Sequence, residues 1–366
     1  MKEIYFILFI LSLLSNLSES IEESSENNRV SKLIGMVRME TIDKSLLFLP
    51  KRKEVNILQM VNYMIKAKEE YSFNEAESAF LVFKWIGQNI RINFNDEDLD
   101  NPINAYTSGE GTPKALSSLF NNICTFFKVN SGSISGYLKW INYKDDVIVN
   151  DREYTWNYVE INGEYYLIDV SQAAGLNFYP QYMYLHFGTK PEIFIRLHFP
   201  KDSKWQLLSE PYTFEKFESM ALLSPFFYLI GFKVISPDTK TYESGKFILT
   251  SDILIERQNI GYGCMTEHGE SGYIEFDDYP GSLINEIECR TYKETCLIYY
   301  LDAIPENSNS FFTFAYFTPN NSNKSFLNFK SMPISNSNVE YNNYSNSKEL
   351  EKGKILKSKN NRNIRG

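Results

Sequence analysis

The sequence predicts an α+β domain followed by an all-β domain, and three observations support this prediction. Apolar residues recur with helical spacing in the first third of the chain. Short aromatic and β-branched segments follow in its middle, and a run of further short segments begins near residue 231. Helices followed by antiparallel strands are typical of α+β domains, and many short strands separated by turn residues are typical of sandwiches.

The helical spacing extends over residues 54–92. Apolar residues recur there every three or four positions, which places them on one face of a helix. A Ser-Phe-Asn break interrupts the pattern, and Asn74 is a suitable N-cap for its second part. Farther along, Thr112 is a favourable N-cap and Pro113 suits the first helical position, so we expect another helix from there to about Phe127.

Three segments after this helix have the composition of strands: Ser133–Ile141, Thr155–Ile161 and Tyr165–Val170. Each is short and rich in aromatic and β-branched residues. The Asn162-Gly163 pair between the last two favours a tight hairpin turn. We therefore expect these segments to form an antiparallel sheet that belongs to the same domain as the helices.

The region from about Gly231 has a different character. Seven short segments there have strand composition, with turn residues between them, which predicts an immunoglobulin-like sandwich. These segments are Phe232–Ile235, Lys246–Thr250, Ile253–Glu256, Gly272–Phe276, Ile287–Tyr292, Cys296–Leu301 and Phe311–Phe317.

The N-terminus has the features of a secretory signal peptide. Lys2 supplies a positive charge, Ile4 to Leu14 is almost wholly apolar, and Ser18-Glu19-Ser20 offers a small-x-small cleavage site. We expect cleavage near Ile21 and a secreted, extracellular protein, with an uncleaved anchor as the alternative. The apolar stretch is shorter than the roughly 20 residues that a membrane-spanning helix needs, and we expect no membrane span in the mature chain.

We divide the chain into a signal peptide (1–20), a flexible leader (21–50), the α+β domain (51–230), the β-sandwich (231–319) and a disordered tail rich in Asn and Ser (320–366). From residue 348 onward the tail has seven basic and two acidic residues. Since the whole chain carries a formal charge of −9, the remainder carries −14. Phosphate binding requires a basic surface, and residues 1–347 are strongly acidic. We therefore do not expect nucleic acid as a partner.

Four cysteines follow the predicted signal peptide. Cys264, Cys289 and Cys296 are close in sequence and are the candidates for disulfide formation in a secreted chain, whereas Cys124 lies far from them. Cys289 and Cys296 could link a hairpin, or either could pair with Cys264. The residue left over could pair with Cys124, so the sequence leaves the connectivity open.

The tail contains three Asn-x-Ser sequons, which begin at Asn320, Asn323 and Asn343. In a secreted protein, exposed sequons of this kind are candidate glycosylation sites. The alternative is that such triplets are simply expected in a segment so rich in Asn and Ser.

A short acidic loop is the one candidate for metal binding. Asp96, Asp98 and Asp100 alternate like the start of a calcium loop. The position that needs glycine is Asn101, however, and the twelfth position is Thr107 rather than glutamate. No Cys or His pair has the spacing of a zinc site either. We therefore expect a solvated acidic loop, no metal site and no cofactor.

Several blocks of the α+β domain match motifs of one superfamily. The first helical region contains Phe83-Lys84-Trp85-Ile86, and the strands contain Thr155-Trp156-Asn157 followed by Leu167-Ile168-Asp169. A later region reads His198-Phe199-Pro200 and then Trp205-Gln206-Leu207-Leu208. Together these blocks resemble the transglutaminase-like superfamily, and the later region resembles its kyphoscoliosis peptidase branch. The resemblance extends from about residue 74 to residue 232, and the β-domain after it also fits that branch.

This resemblance implies a Cys-His-Asp triad, but most of the triad is missing. With Leu119-Phe120 as the anchor, the family cysteine falls on Pro113, and neither neighbour of Pro113 is a cysteine. The family histidine lies two residues before the Trp-Asn pair, which here is Tyr154. The third position is Asp169, and there the family residue is retained.

The expected chemical consequence is loss of activity. Proline has no side-chain nucleophile, and a phenol of pKa near 10 is a poor base at neutral pH. His186, His198 and His268 are the histidines of the chain, and none occupies the base position. We therefore expect Asp169 to have no imidazole to orient and to be a hydrogen-bonded residue at a strand end.

The leading hypothesis is thus a secreted, catalytically inactive relative, a pseudoenzyme, that acts by binding an extracellular or matrix protein. The alternative is an active thiol peptidase or transglutaminase-type acyl-transferase that uses a displaced cysteine, Cys124, with a histidine brought to it by the fold. A third hypothesis is a matrix component in which both domains are scaffolds and the tail binds the partner.

Overall fold

The computed structural model describes residues 30–94, 97–142, 146–149, 153–175, 180–236, 238–239, 241–242, 246–256, 260–265, 271–274, 283–290, 295–300 and 312–319. The predicted signal peptide, the Asn/Ser-rich tail and the three sequons lie outside these residues. Among the described residues, no helix is both long enough and apolar enough to cross a membrane.

The helices fall mainly in the first half of the chain. The described residues include α1 (Met39–Leu47), α2 (Ile57–Tyr71), α3 (Glu75–Asn89), α4 (Pro102–Ser108), α5 (Pro113–Phe126), α6 (Val170–Gly175), α7 (Pro191–Phe194), α8 (Phe214–Ser219) and α9 (Pro225–Leu229).

Local capping signals explain where the two central helices begin. At the start of α3, Oδ1 of Asn74 accepts a hydrogen bond from the Glu77 amide at 2.8 Å, and the Glu77 carboxylate accepts one from the Asn74 amide at 3.0 Å. This reciprocal capping box confirms the predicted N-cap. At the start of α5, the Thr112 hydroxyl accepts from the amide of Ala115 at 3.3 Å and Pro113 is the first helical residue, which is also as predicted.

The strands of the α+β region form one small parallel pair and one larger antiparallel sheet. In the larger sheet the order is β4-β3-β5-β6-β7, and β8 pairs with β3. The bounds are β1 (Arg91–Ile92) and β2 (Glu110–Gly111) for the parallel pair, then β3 (Asn130–Asn142), β4 (Asp146–Val149), β5 (Tyr154–Ile161), β6 (Glu164–Ile168), β7 (Phe187–Thr189) and β8 (His198–Pro200).

The β5–β6 hairpin turns at the predicted pair. Asn162 and Gly163 have φ values of 54° and 79°, and Ile161 pairs with Glu164 across the turn. Two successive positive φ values are those of a type I′ turn, which matches the twist of the strands. The predicted strand extended to Val170, whereas β6 ends at Ile168 because the chain enters α6 directly after Asp169.

The two faces of β5 contribute to different hydrophobic clusters. Val159 and Ile161 belong to the main core, which also contains most of α3 and the inward face of α5. Tyr154 and Trp156, at alternate positions, belong to a second cluster with Phe194. Side chains alternate between the faces of a strand, so the two clusters lie on opposite sides of the sheet.

The described part of the segment predicted as a flexible leader, residues 30–50, packs against the rest of the fold. Ser31 forms a bridge with Thr189, and its hydroxyl donates to the carbonyl oxygen of Phe187 at 2.8 Å. Leu33 and Ile42 are fully buried. The prediction is therefore wrong for residues 30–50, because apolar residues scattered in a polar segment find a place in the main core.

The strands after the α+β region form two sheets. β10 (Phe232–Ser236), β12 (Lys246–Glu256) and β15 (Leu283–Arg290) form one, and the order of the other is β11-β17-β16-β13-β14, with β9 beside β17. The remaining bounds are β9 (Leu222–Leu223), β11 (Thr241–Tyr242), β13 (Ile260–Met265), β14 (Ser271–Ile274), β16 (Thr295–Tyr300) and β17 (Phe312–Pro319).

Strands β12 and β13 differ from the prediction. Lys246–Thr250 and Ile253–Glu256 are parts of a single strand, β12, whose register with β15 shifts between Thr250 and Ile255. Strand β13 was not predicted at all. Its sequence alternates glycine with larger residues, and glycine is depleted in strands, so the local signal is weak.

Candidate functional site

Two of the three positions that the resemblance assigns to the triad, Tyr154 and Asp169, are in contact. Tyr154 is the first residue of β5, and Asp169 lies between β6 and α6, so the β5–β6 hairpin brings them together. The Tyr154 hydroxyl lies 3.0 Å from Oδ2 and 3.2 Å from Oδ1 of Asp169, to which it donates. Asp169 is fully buried and Tyr154 is 2% exposed. The hairpin therefore places a phenol where the resemblance implies an imidazole.

Asp169 also serves as the N-terminal cap of α6. Its Oδ1 accepts hydrogen bonds from the amides of Ser171 and Gln172, each at 2.9 Å. Its own amide donates to the carbonyl oxygen of His186 at 2.9 Å. These bonds satisfy amides that a helix leaves without a partner at its start. The carboxylate thus has a local structural task that does not depend on catalysis.

The expectation that Asp169 has no imidazole partner is wrong. Nε2 of His198 lies 2.7 Å from Oδ2 of Asp169, and the His198 side chain is 2% exposed. The contact arises because β8 pairs with β3, with His198 opposite Leu138 and Pro200 opposite Gly136.

Gly136 permits this close approach of β8. A Cβ atom at that position would lie 2.2 Å from the carbonyl oxygen of Phe199 and 2.4 Å from the Trp156 ring. Any side chain there would therefore displace the strand that carries His198. The glycine is the one local signal in the sequence that could have indicated a tight contact here.

The orientation of His198 does not suit a general base. Its Nδ1 lies 3.3 Å from the Phe194 carbonyl oxygen, so both ring nitrogens face hydrogen-bond acceptors. The ring stacks on Phe194 at 4.0 Å between centroids and meets Trp156 edge-on at 5.2 Å. Activation of a thiol would need a free ring nitrogen facing that thiol. His198 instead joins β8 to the β6–α6 junction.

Tyr154 fills the space around the carboxylate. Its ring stacks with Phe94 at 6.4 Å and packs against Trp156 at the same distance. Tyr154, Asp169 and His198 are all nearly inaccessible to solvent, so the carboxylate of Asp169 is closed off from the surface. A substrate could reach Asp169 only if these side chains moved.

The predicted nucleophile position lies in a capping arrangement. Pro113 is buried at the first position of α5, and the preceding Thr112 hydroxyl donates to Oδ1 of Asp100 at 2.5 Å. Thr112 is the main cause of a lowered Asp100 pKa, and Lys114, at 3.2 Å from Oδ2, adds to it. Asp100 from the predicted acidic loop thus fixes the start of a helix. Within the described part of the chain, no group of three or more His, Cys, Asp or Glu residues could hold a metal ion.

Cys124 lies in a different hydrophobic cluster from Tyr154. It lies near the end of α5, is fully buried and belongs to the main core, on the other side of the sheet from Tyr154. Burial raises the pKa of its thiol far above the usual range, and a hydrogen bond with Ser131 opposes this effect only in part. A buried neutral thiol is a poor nucleophile.

A second buried histidine was not singled out from the sequence. His186 is 7% exposed and precedes β7, and burial lowers its pKa to about 4. The negative charge of Asp169 opposes this shift, whereas His198 adds to it. His186 is therefore neutral at physiological pH, and it contacts the network through its backbone carbonyl oxygen.

The disulfide candidates lie in the β-rich region. Cys264 is in β13, Cys296 is in β16 and Cys289 is in β15, which belongs to the other sheet. Among the residues whose side chains are described, Cys124 is a free thiol.

The chain matches no protein-family model. It is 23% identical to mouse kyphoscoliosis peptidase over 211 residues, which cover 54% of this chain and 32% of the mouse protein. It is 30% identical to human kyphoscoliosis peptidase over 128 residues, which cover 33% of this chain and 19% of the human protein. The chain thus spans at most about a third of the length of these relatives. Over these residues it is similar to kyphoscoliosis peptidase.

Proposed function

We propose that the chain is a secreted, catalytically inactive transglutaminase-like protein that binds an extracellular or matrix protein. One observation supports inactivity above all. The carboxylate of Asp169 is fully buried and receives hydrogen bonds from Tyr154, His198 and two amides of α6, while Pro113 stands at the nucleophile position.

The chemistry supports the same conclusion. Thiol catalysis needs a thiolate, a base that takes its proton, and a third group that orients the base. Here the aspartate is present, but its neighbours are a phenol and an imidazole whose two nitrogens already face acceptors. Loss of the nucleophile or the base of a triad lowers turnover by roughly a million-fold.

The alternative of a displaced thiol is disfavoured by Cys124. A peptidase or acyl-transferase that used it would need an exposed thiol of lowered pKa beside a histidine. Cys124 is fully buried, and its pKa is raised.

An exposed apolar pair supports protein binding. Leu47 and Phe48, at the end of α1, are 83% and 76% exposed, the highest values among the large hydrophobic residues described. Exposed residues of both charges lie close to the pair in sequence, namely Lys44, Lys51 and Lys53 together with Glu40, Asp43 and Glu54. Contiguous exposed apolar surface is a common feature of interaction sites. We assign this surface, the Leu47–Phe48 patch, to a partner segment that has apolar side chains.

The remaining parts of the chain have proposed roles that fit secretion. Residues 1–20 direct secretion, residues 231–319 form an immunoglobulin-like sandwich, and residues 320–366 form a tail that is glycosylated at its sequons. The support for the sandwich is that the region contains two sheets. In this proposal the tail is not the binding element.

Comparison of variants tests the binding proposal. The full chain, secreted from cultured animal cells, is immobilised and exposed to a detergent-free extract of extracellular matrix, and bound proteins are identified by mass spectrometry. Leu47→Ser combined with Phe48→Ser should remove a partner that wild type retains. Phe126→Ser combined with Tyr165→Ser, at positions that are 53% and 46% exposed, is the matched control and should retain it.

Deletion of residues 336–366 separates the scaffold hypothesis from this proposal. The partner should persist on the shortened chain if the Leu47–Phe48 patch binds it. If the partner is lost with the tail and retained by the Leu47→Ser, Phe48→Ser variant, the tail is the binding element and the proposal is wrong.

A further inference from the structure

We infer that Cys264 and Cys296 form a disulfide that links β13 to β16, and that Cys289 takes no part in it. The inference rests on the proposed function only for its oxidant, since secretion exposes the chain to an oxidising compartment.

The register of the two strands supports the pairing. β13 and β16 are antiparallel neighbours, and Cys264 lies directly opposite Cys296. The flanking pairs are Gly263 with Leu297 and Met265 with Thr295, and the register is continuous from Ile260 to Met265. The cysteine pair is therefore embedded in a regular ladder.

Directly opposite positions meet the geometric requirement of a disulfide. Such residues share one face of the sheet, and their Cα atoms are about 4.5 or about 5.5 Å apart, depending on the type of pair. Disulfides join residues whose Cα atoms are roughly 4.4 to 6.8 Å apart. Both separations fall within this range, so the register of Cys264 and Cys296 is compatible with the bond.

The other two cysteines are placed elsewhere. Cys289 lies opposite Phe247 in the pairing of β15 with β12, which belongs to the three-stranded sheet. Cys124 is buried in the core of the α+β region. The sequence left Cys289 and Cys296 as a possible hairpin link. Their strands lie in different sheets, which removes the reason for that pairing.

The disulfide would close a loop formed by residues 264–296, which leave the sheet of β13 and β16 and return to it. Between Cys264 and Cys296 the chain forms β14, which pairs with β13, and then β15, which belongs to the other sheet. A covalent link between the two ends of this excursion restricts the unfolded chain and so stabilises the folded one. The disulfide therefore links the two ends of the chain segment that contains β14 and β15.

The oxidation is a thiol–disulfide exchange. The thiolate of one cysteine attacks a disulfide of a donor of the thiol–disulfide oxidoreductase class, and a mixed disulfide forms. The second cysteine displaces the donor, and one S–S bond joins Cys264 to Cys296. The two thiols lose two electrons and two protons in total, and the donor disulfide is reduced to two thiols.

Peptide mapping of the full chain tests the pairing. The purified chain is equilibrated in a buffer of oxidised and reduced glutathione, alkylated and digested without reduction. Trypsin alone does not suffice, because no Lys or Arg lies between Arg257 and Arg290, so Cys264 and Cys289 share one peptide. A glutamate-specific protease separates them, since Glu267 and Glu286 lie between the two cysteines.

We expect a cross-linked pair of peptides that contain Cys264 and Cys296, with Cys289 alkylated. Cys289→Ser should leave this pair intact, whereas Cys264→Ser should abolish it and lower the melting temperature of the region. A link through Cys289 would overturn the inference. Alkylation of Cys264, Cys289 and Cys296 alike in the oxidising buffer would also overturn it.

The proposed secretion is tested separately, by the same peptide mapping of protein collected from the culture medium of cells that express the chain. A pair that forms in the glutathione buffer, from a chain that never reaches the medium, supports the pairing and contradicts secretion.

Discussion

Nε2 of His198 lies 2.7 Å from Oδ2 of Asp169, and both side chains are shielded from solvent. The contact joins β8 to the junction between β6 and α6, and the Tyr154 hydroxyl joins the same carboxylate to β5. In a triad such an aspartate would orient a catalytic imidazole toward a nucleophile. Here it connects three elements of the fold, so its removal should affect stability rather than turnover.

Substitution of Asp169 by Asn should strongly destabilise the protein. The variant keeps an acceptor for the α6 amides, but it removes the charge that His198 faces and places an amide among donors. Leaving a buried donor without its charged acceptor costs roughly 1 to 3 kcal/mol in the free energy of unfolding. Urea unfolding of the two chains measures the difference.

Asp202→Asn is the matched control for that experiment. Asp202 also caps a short helix, through the Lys204 amide at 3.1 Å, but its side chain is 54% exposed. We expect a much smaller effect there. Equal losses at Asp169 and Asp202 would contradict the importance of the buried network.

Tyr154→Phe tests the third connection to the carboxylate. The change removes one hydroxyl donor and keeps the ring that packs against Phe94 and Trp156. A hydrogen bond to a charged group contributes about 2 kcal/mol, and we expect a loss of that size in urea unfolding. Tyr165→Phe, at a 46% exposed position, should leave the midpoint unchanged. No loss at Tyr154 would mean that Asp169 is satisfied without the phenol.

His186 should make stability depend on pH. Its pKa is about 4 in the folded chain, against an ordinary 6.5. Between these values the unfolded chain binds more protons, so the free energy of unfolding falls as the pH falls from about 6.5 toward about 4. The whole loss, reached near pH 4, is on the order of 3 kcal/mol. His186→Gln should flatten this dependence.

Urea unfolding of wild type and His186→Gln is measured at pH values from about 5 to about 7.5, and the difference between the two chains isolates the contribution of His186. Glu77 does not interfere in this window. Burial opposes its ionisation, but bonds from Arg38 and Asn74 outweigh that effect and hold its pKa below the ordinary 4.5. If wild type and His186→Gln lose stability in parallel as the pH falls, His186 is accessible to protons in the folded chain and its assigned burial is wrong.

Cys124 should resist alkylation in the native protein. Its thiol is fully buried and its pKa is raised, so labelling waits for the structure to open. We expect native labelling to be slower than labelling in urea by more than about a hundredfold. Thr125→Cys places a thiol at the next, exposed position of the same helix and should label rapidly. Rapid labelling of Cys124 itself would favour the displaced-thiol enzyme.

Features set by neighbouring residues were predicted well from the sequence. Asn74, Thr112 and the Asn162-Gly163 pair act within a few positions of themselves, because capping and turn formation are local. The helix starts and the hairpin were therefore confirmed. The end of β6 was missed because Asp169 acts as a cap there, which a strand-like composition conceals.

The contact that defines the site could not be predicted in this way. His198 reaches Asp169 through the pairing of β8 with β3, and that pairing depends on a strand far away in sequence. The packing of residues 30–50 depends likewise on β7. Periodicity and motif spacing carry no information on such pairings. His198 was therefore assigned to the His198-Phe199-Pro200 block and not to a contact with Asp169.

The most direct test of the central claim is turnover by the purified, secreted chain. Peptide hydrolysis and amine incorporation into a glutamine-containing protein are followed for wild type and for Cys124→Ser. The account predicts that both chains give the rate of buffer alone. Turnover above that background by wild type, abolished by Cys124→Ser with the fold intact, would contradict it and establish a thiol enzyme.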